Sequence, residues 1–147
     1  MTIDVVLLRE WCDQVCRLSA TDVRDVVAAL GLPDDLGTPA RDVTELHPPP
    51  SGTTRCAVGT SDDHFWYLSL TFTTPTIARH TLEDAMGPGV LLRRIRSTRL
   101  HRVAYRVVIP DAPFSCDLVA SFTEAPTDAS LVAGVTLRRD RGVGPVG

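Results

Sequence analysis

Residues 55–73, RCAVGTSDDHFWYLSLTFT, decide the fold class of this chain. A strand-like run at 55–60 and a run at 65–73 in which large apolar residues alternate with polar ones flank the tetrapeptide SDDH. Alternation with a period of two is typical of a strand that buries one face, and a short polar break between two such runs is typical of a turn. The stretch therefore predicts a β-hairpin. The residues of its second strand that we expect in the core are Trp66, Leu68, Leu70 and Phe72.

Two short amphipathic patterns precede this hairpin. From Val5 to Leu18 apolar residues recur at spacings of three and four, with charged residues between them. A second pattern of this kind has Thr21 in the N-cap position and ends at Gly31. Because such spacing gives each helix one apolar side, we predict an N-terminal helical hairpin.

The segments outside these two hairpins complete the predicted architecture. Thr74 is in the N-cap position before Pro75, so a further helix is expected to begin there and to end at Gly87. A short edge strand is expected near Val43–Leu46, and three strand-like runs follow the helix, at 101–110, 115–123 and 130–139. The order predicts an α+β fold, in which the helical hairpin and the further helix pack on an antiparallel sheet of about five to six strands.

The length and composition of the chain fit one domain. It has 147 residues, of which 44% are hydrophobic and 22% charged, ordinary values for one globular domain. We expect a single α+β domain at 1–140 and a flexible glycine-rich tail at 141–147. The tail contains GVGPVG, which matches G-x-G-x-x-G, but that motif binds a dinucleotide only where a helix follows it.

The residue types that the chain lacks indicate its origin and compartment. All fifteen basic residues are arginine, and lysine and asparagine are absent. Both absent types have AT-rich codons, so we infer a GC-rich, bacterial genome. Asp4 and Arg9 interrupt the apolar N-terminal stretch, which argues against a signal peptide. No apolar run approaches the roughly 18 residues that span a bilayer, so a cytoplasmic protein without a membrane partner is expected.

The arginines are concentrated in one interval without acidic residues. Six of them lie between Asp84 and Asp111, and the nine others stand against all eighteen acidic residues. The interval therefore carries +6 on a background of −9, although the whole chain has a net charge of only −3. Such polarity favours a small non-enzymatic protein-binding module, of the immunity-protein or inhibitor kind or an accessory subunit, that meets an acidic partner protein. The expected partner-binding residues are Arg93, Arg94, Arg96, Arg99, Arg102 and Arg106.

An alternative function is a small ligand-binding or hydrolytic domain with a pocket near His64 and Cys116. In the SDDH tetrapeptide, Asp62 and Asp63 stand beside His64, and such a group can orient a general base. The same residue types are typical of a plain hairpin turn, which is the interpretation we favour.

The sequence contains no signature of catalysis or of metal binding. G-x-S-x-G, P-loop and H-E-x-x-H motifs are absent, so no catalytic residue and no cofactor is predicted, and a non-enzymatic protein is favoured without excluding an enzyme. There is also no C-x-x-C pair, and no metal site is expected. We expect the cysteines to be reduced and to fill the core as small apolar residues; they are Cys12, Cys16, Cys56 and Cys116.

Nucleic-acid binding is a third function, and the composition disfavours it. The chain is acidic, with a pI of about 5.7, whereas nucleic-acid-binding domains are usually basic, with aromatic residues among the charges. Tyr105 is the one aromatic residue in the arginine-rich interval, and strand alternation points it away from Arg102 and Arg106. The sequence does not indicate an oligomeric state.

Overall fold

Three helices and seven strands make up the residues that the computed structural model describes, namely 2–33, 42–62, 64–93 and 100–141. The helices are α1 (Val5–Arg17), α2 (Val23–Ala29) and α3 (Arg79–Met86). The strands are β1 (Val43–Glu45), β2 (Thr53–Ser61), β3 (His64–Phe72), β4 (Val90–Leu91), β5 (His101–Val107), β6 (Phe114–Phe122) and β7 (Gly134–Arg141).

The strands form one sheet in the order β1-β2-β3-β7-β6-β5-β4, and all neighbours are antiparallel. The sheet therefore contains two three-stranded units, β1–β3 and β4–β6. Strand β7, the last one described, lies between them. The antiparallel α+β class predicted from the sequence is confirmed. The predicted number of five to six strands is too low, because β4 has only two residues, too few to show alternation.

The helices cover one face of this sheet. A row of apolar residues crosses the covered face from β3 to β5, since Leu68 pairs with Leu137, which pairs with Leu118, which pairs with Tyr105. All four are at most 1% exposed. Burying such side chains stabilises the fold by roughly 1.5–3 kcal/mol each. The described residues place no helix on the opposite face, which we call the open face.

The two N-terminal helices follow one another in the chain, but each has its own packing partners. Helix α1 packs chiefly on β6 and on α3, whereas α2 packs on β3. The two predicted helices are therefore present and follow one another in the chain. However, the helix that packs beside α1 is α3. Each apolar stripe faces the sheet, because the sheet offers more apolar area than a second short helix does.

Polar caps begin the first two helices. The Asp4 carboxylate accepts a hydrogen bond from the Leu7 amide at 2.9 Å, before α1. Asp22, one residue later than the predicted N-cap, accepts from the Arg24 amide at 2.9 Å before α2. Thr21 instead uses its carbonyl oxygen to accept from the Phe65 amide at 2.9 Å, so this residue joins the helix start to β3.

Helix α3 begins five residues later than Thr74, the N-cap position that the sequence predicts. The intervening segment is extended and bonded to the chain ahead of β7: the Val132 amide donates to the Ile77 carbonyl at 2.8 Å, and the Arg79 amide donates to the Ser130 carbonyl at 2.8 Å. In a longer helix these backbone groups would form hydrogen bonds within the helix. Here they form long-range hydrogen bonds instead. The helix ends before Gly87, where a φ of 85° favours glycine.

A bulge in the β-hairpin reverses the predicted burial of one aromatic residue. The register between β2 and β3 shifts so that Tyr67 pairs with Gly59 while Phe65 pairs with Thr60, which leaves Trp66 without a partner. Phe65 is 5% exposed and Trp66 is 48% exposed. The expectation that Trp66 lies in the core is therefore wrong, because the extra residue shifts the side-chain alternation by one position. Leu68 and Leu70 are buried as predicted.

The end of the chain is described through Arg141, the last residue of β7. The predicted tail begins at residue 141, but Arg141 belongs to β7, and the rest of the tail, 142–147, lies outside the described residues. None of the helices in the described ranges is long and apolar enough to cross a membrane.

Candidate functional site

The arginine-rich interval lies at one edge of the sheet. The outermost strand there is β4, which pairs with β5 through Val90 opposite Ala104 and Leu91 opposite Val103. The two β4 residues are large and apolar, yet they are 66% and 62% exposed, respectively. We call the edge that carries Val90, Leu91, Arg93 and Arg102 the arginine edge. Val90 pairs with Ala104 on the side of the open face, whereas Leu91 pairs with Val103 on the side of the covered face.

The two arginines of this edge have uncompensated charges within the described part of the chain. Arg102 donates from Nη2 to the backbone carbonyl of Arg93 at 3.4 Å, and neither side chain forms an ion pair with a described acidic residue. The Nε atom of Arg102 is buried and has no hydrogen-bond partner there. A buried donor without an acceptor costs roughly 1–3 kcal/mol.

Arg106 is in a different electrostatic environment from Arg102, although both lie on β5. Its Nη1 atom lies 3.1 Å from Oδ1 of Asp117 and 2.7 Å from Oδ2 of Asp140, and its Nη2 donates to Ser115 at 2.9 Å. Arg138 adds a second cation, 3.0 Å from Oδ2 of Asp117. The hydrogen bonds to the two aspartates raise the pKa of Arg106. Its charge is therefore compensated within the open face.

The remaining predicted partner-binding residues are Arg94, Arg96 and Arg99, and they lie outside the described residues. They follow Arg93 directly in the chain, within the segment that joins β4 to β5. Of the six arginines named from the sequence, the structure thus places two on the arginine edge and one in an ion-pair network.

A groove lies at the end of the sheet that carries the turn between β2 and β3. Its volume is about 730 Å³, within the range of sites for small molecules. We call it the Trp66 groove. Its described lining residues are Thr21, Ser61, Asp62, His64, Phe65, Trp66, Pro113, Phe114 and Arg139.

The described residues of the SDDH tetrapeptide, Ser61, Asp62 and His64, lie at the predicted turn and border this groove. Ser61 pairs with His64 to close the hairpin, and Asp62 has a φ of 52°. Aspartate is among the residue types that adopt this left-handed conformation most readily. Asp63 lies outside the described residues. The turn interpretation thus fits the backbone, while Asp62 and His64 also line the groove.

Arg139 lies on the floor of the Trp66 groove and is only 6% exposed. Its guanidinium donates to the carbonyl oxygens of Val15 at 3.1 Å, Ala20 at 2.7 Å and Leu18, and so joins β7 to the end of α1. The Phe114 ring lies under the guanidinium, 3.6 Å from its central carbon to the ring centroid. Burial lowers the pKa of Arg139 to about 10. The sequence does not distinguish this arginine from its exposed neighbour Arg138.

Cys116 does not belong to the groove. It is fully buried, and its Sγ donates to the Cys12 carbonyl at 3.8 Å, between β6 and α1. The hydrogen bond to Cys12 and burial raise the pKa of Cys116. The structure therefore brings His64 to the groove and leaves this thiol in the core, where all four free cysteines are buried. Among the described residues, no group of three or more His, Cys, Asp and Glu side chains is arranged to hold a metal ion.

A buried polar contact also lies on the covered face, between α3 and β5. Tyr105 donates from its hydroxyl to Oε2 of Glu83 at 3.0 Å, and Arg79 lies 3.3 Å from the same oxygen. Burial and the bond to Glu83 raise the pKa of Tyr105 to about 12. In the sequence, Glu83 stands among polar residues of α3 that are expected to face solvent. The sequence therefore does not predict its contact with Tyr105.

Comparison with models of protein families, with curated proteins and with solved structures gives no significant match to this chain. The functional assignment therefore rests on the geometry of the described residues.

Proposed function

We propose that this chain is a small non-enzymatic protein-binding module of the bacterial cytoplasm, of the immunity-protein or inhibitor kind or an accessory subunit, whose arginine edge meets an acidic surface of another protein. The observation that carries the proposal is that two exposed apolar residues, Val90 and Leu91, lie at the same edge of the sheet as Arg93 and Arg102. Interface centres are depleted in most charged residues but enriched in arginine and in apolar contacts. The arginine edge has this composition.

The electrostatics of the edge supports an acidic partner. Arg93 and Arg102 have no carboxylate to pair with in the described ranges, and Arg94, Arg96 and Arg99 continue the same acid-free segment. Complementary charge accelerates encounter and orients the partner. A carboxylate from the partner would pair with the guanidinium of Arg102, which forms no ion pair within the described ranges. Arg106 contributes less to this surface, since Asp117 and Asp140 neutralise it.

The experiment that tests the proposal compares proteins that co-purify with the native chain and with the variant Arg93→Glu/Arg102→Glu. We expect a specific partner with the native chain and its loss with the variant. The control is Arg9→Glu/Arg17→Glu, which changes the net charge equally on α1 and also removes the Arg9–Asp13 ion pair. The control is expected to retain the partner, and circular dichroism checks the fold of both variants. An unchanged set of partners in Arg93→Glu/Arg102→Glu contradicts the proposal.

A nucleic-acid partner is distinguished by a second measurement. If the arginine edge binds nucleic acid, the native chain binds a random-sequence oligonucleotide, and the affinity falls steeply as salt increases. Under our proposal this binding is absent at 150 mM salt, roughly physiological ionic strength. If the native chain binds the oligonucleotide strongly and the Arg93→Glu/Arg102→Glu variant does not, the partner of the arginine edge is nucleic acid and the proposal of a protein partner is wrong.

A further inference from the structure

The Trp66 groove is separate from the arginine edge, and none of the four residues of that edge lines it. Its wall contains Trp66, which the bulge in β3 turns away from the core and leaves 48% exposed. Bulges next to binding sites commonly re-aim a side chain in this way. An exposed indole ring on the wall of a groove offers a flat apolar surface for stacking.

The same groove is lined by a cation, Arg139, that forms no ion pair within the described residues. A guanidinium has five N–H groups, and three hydrogen bonds from Arg139 go to the backbone carbonyls of α1 and of the loop after it. Those acceptors are neutral, and no described carboxylate forms an ion pair with Arg139. Burial lowers the pKa of this side chain to about 10, which agrees with a charge that no described carboxylate neutralises.

We propose that the Trp66 groove binds a small aromatic carboxylate, with its ring against Trp66 and its carboxylate bound to the remaining N–H groups of Arg139. Hydrogen bonds between ionised partners are the stronger kind, and bidentate binding of carboxylates is typical of arginine. Asp62 also lines the groove, and its negative charge disfavours ligands with more than one carboxylate. The volume of about 730 Å³ accommodates a fused two-ring compound.

The test uses the full chain and isothermal titration calorimetry at pH 7 with 2-naphthoate as the probe. The control ligand is 2-naphthamide, which has the same rings and a neutral amide in place of the carboxylate. We expect 2-naphthoate to bind with a stoichiometry of one and 2-naphthamide to bind roughly tenfold to a hundredfold more weakly, since the amide loses a charged hydrogen bond. Equal affinity for the two compounds, or no binding of 2-naphthoate, overturns the proposal.

Two variants locate the site. Trp66→Ala removes the exposed ring and is expected to weaken 2-naphthoate binding by about tenfold, whereas Leu131→Ala, an exposed apolar residue that does not line the groove, leaves it unchanged. Arg139→Lys keeps the positive charge but loses the planar fork, so it is expected to weaken binding of 2-naphthoate and not of 2-naphthamide. If Arg139→Lys fails to fold, the comparison of the two ligands and the affinity of Trp66→Ala for 2-naphthoate still test the proposal. Full binding by Trp66→Ala contradicts the proposed site.

Discussion

Arg106 and Asp117 lie directly opposite each other on β5 and β6, and Nη1 of Arg106 is 3.1 Å from Oδ1 of Asp117. The same nitrogen is 2.7 Å from Asp140 on β7. Four residues earlier on β5, Arg102 has no such carboxylate among the described residues. Strand pairing thus divides the described arginines of this interval into one that carboxylates neutralise and two that form no ion pair with a described acidic residue.

Replacing Arg106 by glutamine is expected to destabilise the protein by about 1–2 kcal/mol, because Asp117 and Asp140 then lose their shared donor. The value is at the low end for a charged hydrogen bond, since the Arg106 side chain is 45% exposed and solvent screens it. Urea denaturation at pH 7 measures the free energy of unfolding. The matched variant Arg93→Gln, on an exposed side chain without an ion pair in the described ranges, is expected to change that free energy by less than about 0.5 kcal/mol. Equal losses in both variants would contradict the ion-pair network.

Gly134→Ala is expected to destabilise the sheet by about 1–3 kcal/mol, through overpacking at the start of β7. A Cβ atom there would lie 2.6 Å from the Leu70 carbonyl oxygen, a backbone atom that cannot rotate away. At Gly59 the added atom would instead meet the ring of Tyr67, a half-buried side chain that can move. Gly59→Ala therefore costs less. Urea denaturation of the two variants compares the costs, and a larger loss for Gly59→Ala would show that this account of the sheet is wrong.

The stability of the native protein at alkaline pH is expected to depend on Tyr105. Its pKa is about 12 in the folded protein and about 10 in an unfolded chain. Between these values the folded state retains a proton that the unfolded state loses. The stabilisation is therefore complete below pH 10 and is lost as pH rises toward 12, by up to ~1.4 kcal/mol per pH unit.

The variant Tyr105→Phe tests this dependence. It is expected to be less stable than the native protein by about 1 kcal/mol at pH 7, because the hydrogen bond to Glu83 is lost. The difference should shrink above pH 10 and change sign before pH 12, because the native protein loses more than about 1 kcal/mol over that range. Urea denaturation at a series of pH values measures it. A difference that stays constant up to pH 12 would mean that Tyr105 titrates normally.

The cysteines are expected to be inert in the folded protein. All four are buried, and desolvation raises the pKa of Cys56 to about 11. Because the thiolate is the reactive form, an aromatic disulfide reagent at pH 8 should modify no thiol in the native chain and all four in denaturant. Rapid reaction of one thiol before unfolding would place a cysteine at the surface and reopen thiol chemistry as a function.

Local periodicity was sufficient to predict much of the architecture. Alternation across 65–73 identified β3, and spacings of three and four identified α1. The predictions that failed depend on contacts that local periodicity does not show. Trp66 is exposed because a bulge against β2 shifts its alternation. Helix α3 starts late because Ile77 and Arg79 bond to the chain ahead of β7.

The candidate sites were only partly predictable, for the same reason. The acid-free interval and the place of His64 beside a turn are visible in the printed sequence. Arg138 and Arg139 are neighbours with the same chemistry, yet one joins the ion pairs of the open face and the other lies in the groove floor. As successive residues of β7, they point to opposite faces of the sheet, one covered by helices and one open. The sequence does not tell which face the helices cover.

The sequence by itself determined the α+β class, the central hairpin, the buried cysteines and the concentration of positive charge in one interval, because each of these depends on neighbouring residues or on composition. The tertiary structure alone decided that β7 lies between β3 and β6, and this position brings Asp140 to Arg106 across 34 residues of chain. Strand order and register are long-range properties, and they decide which arginines pair with carboxylates within the fold.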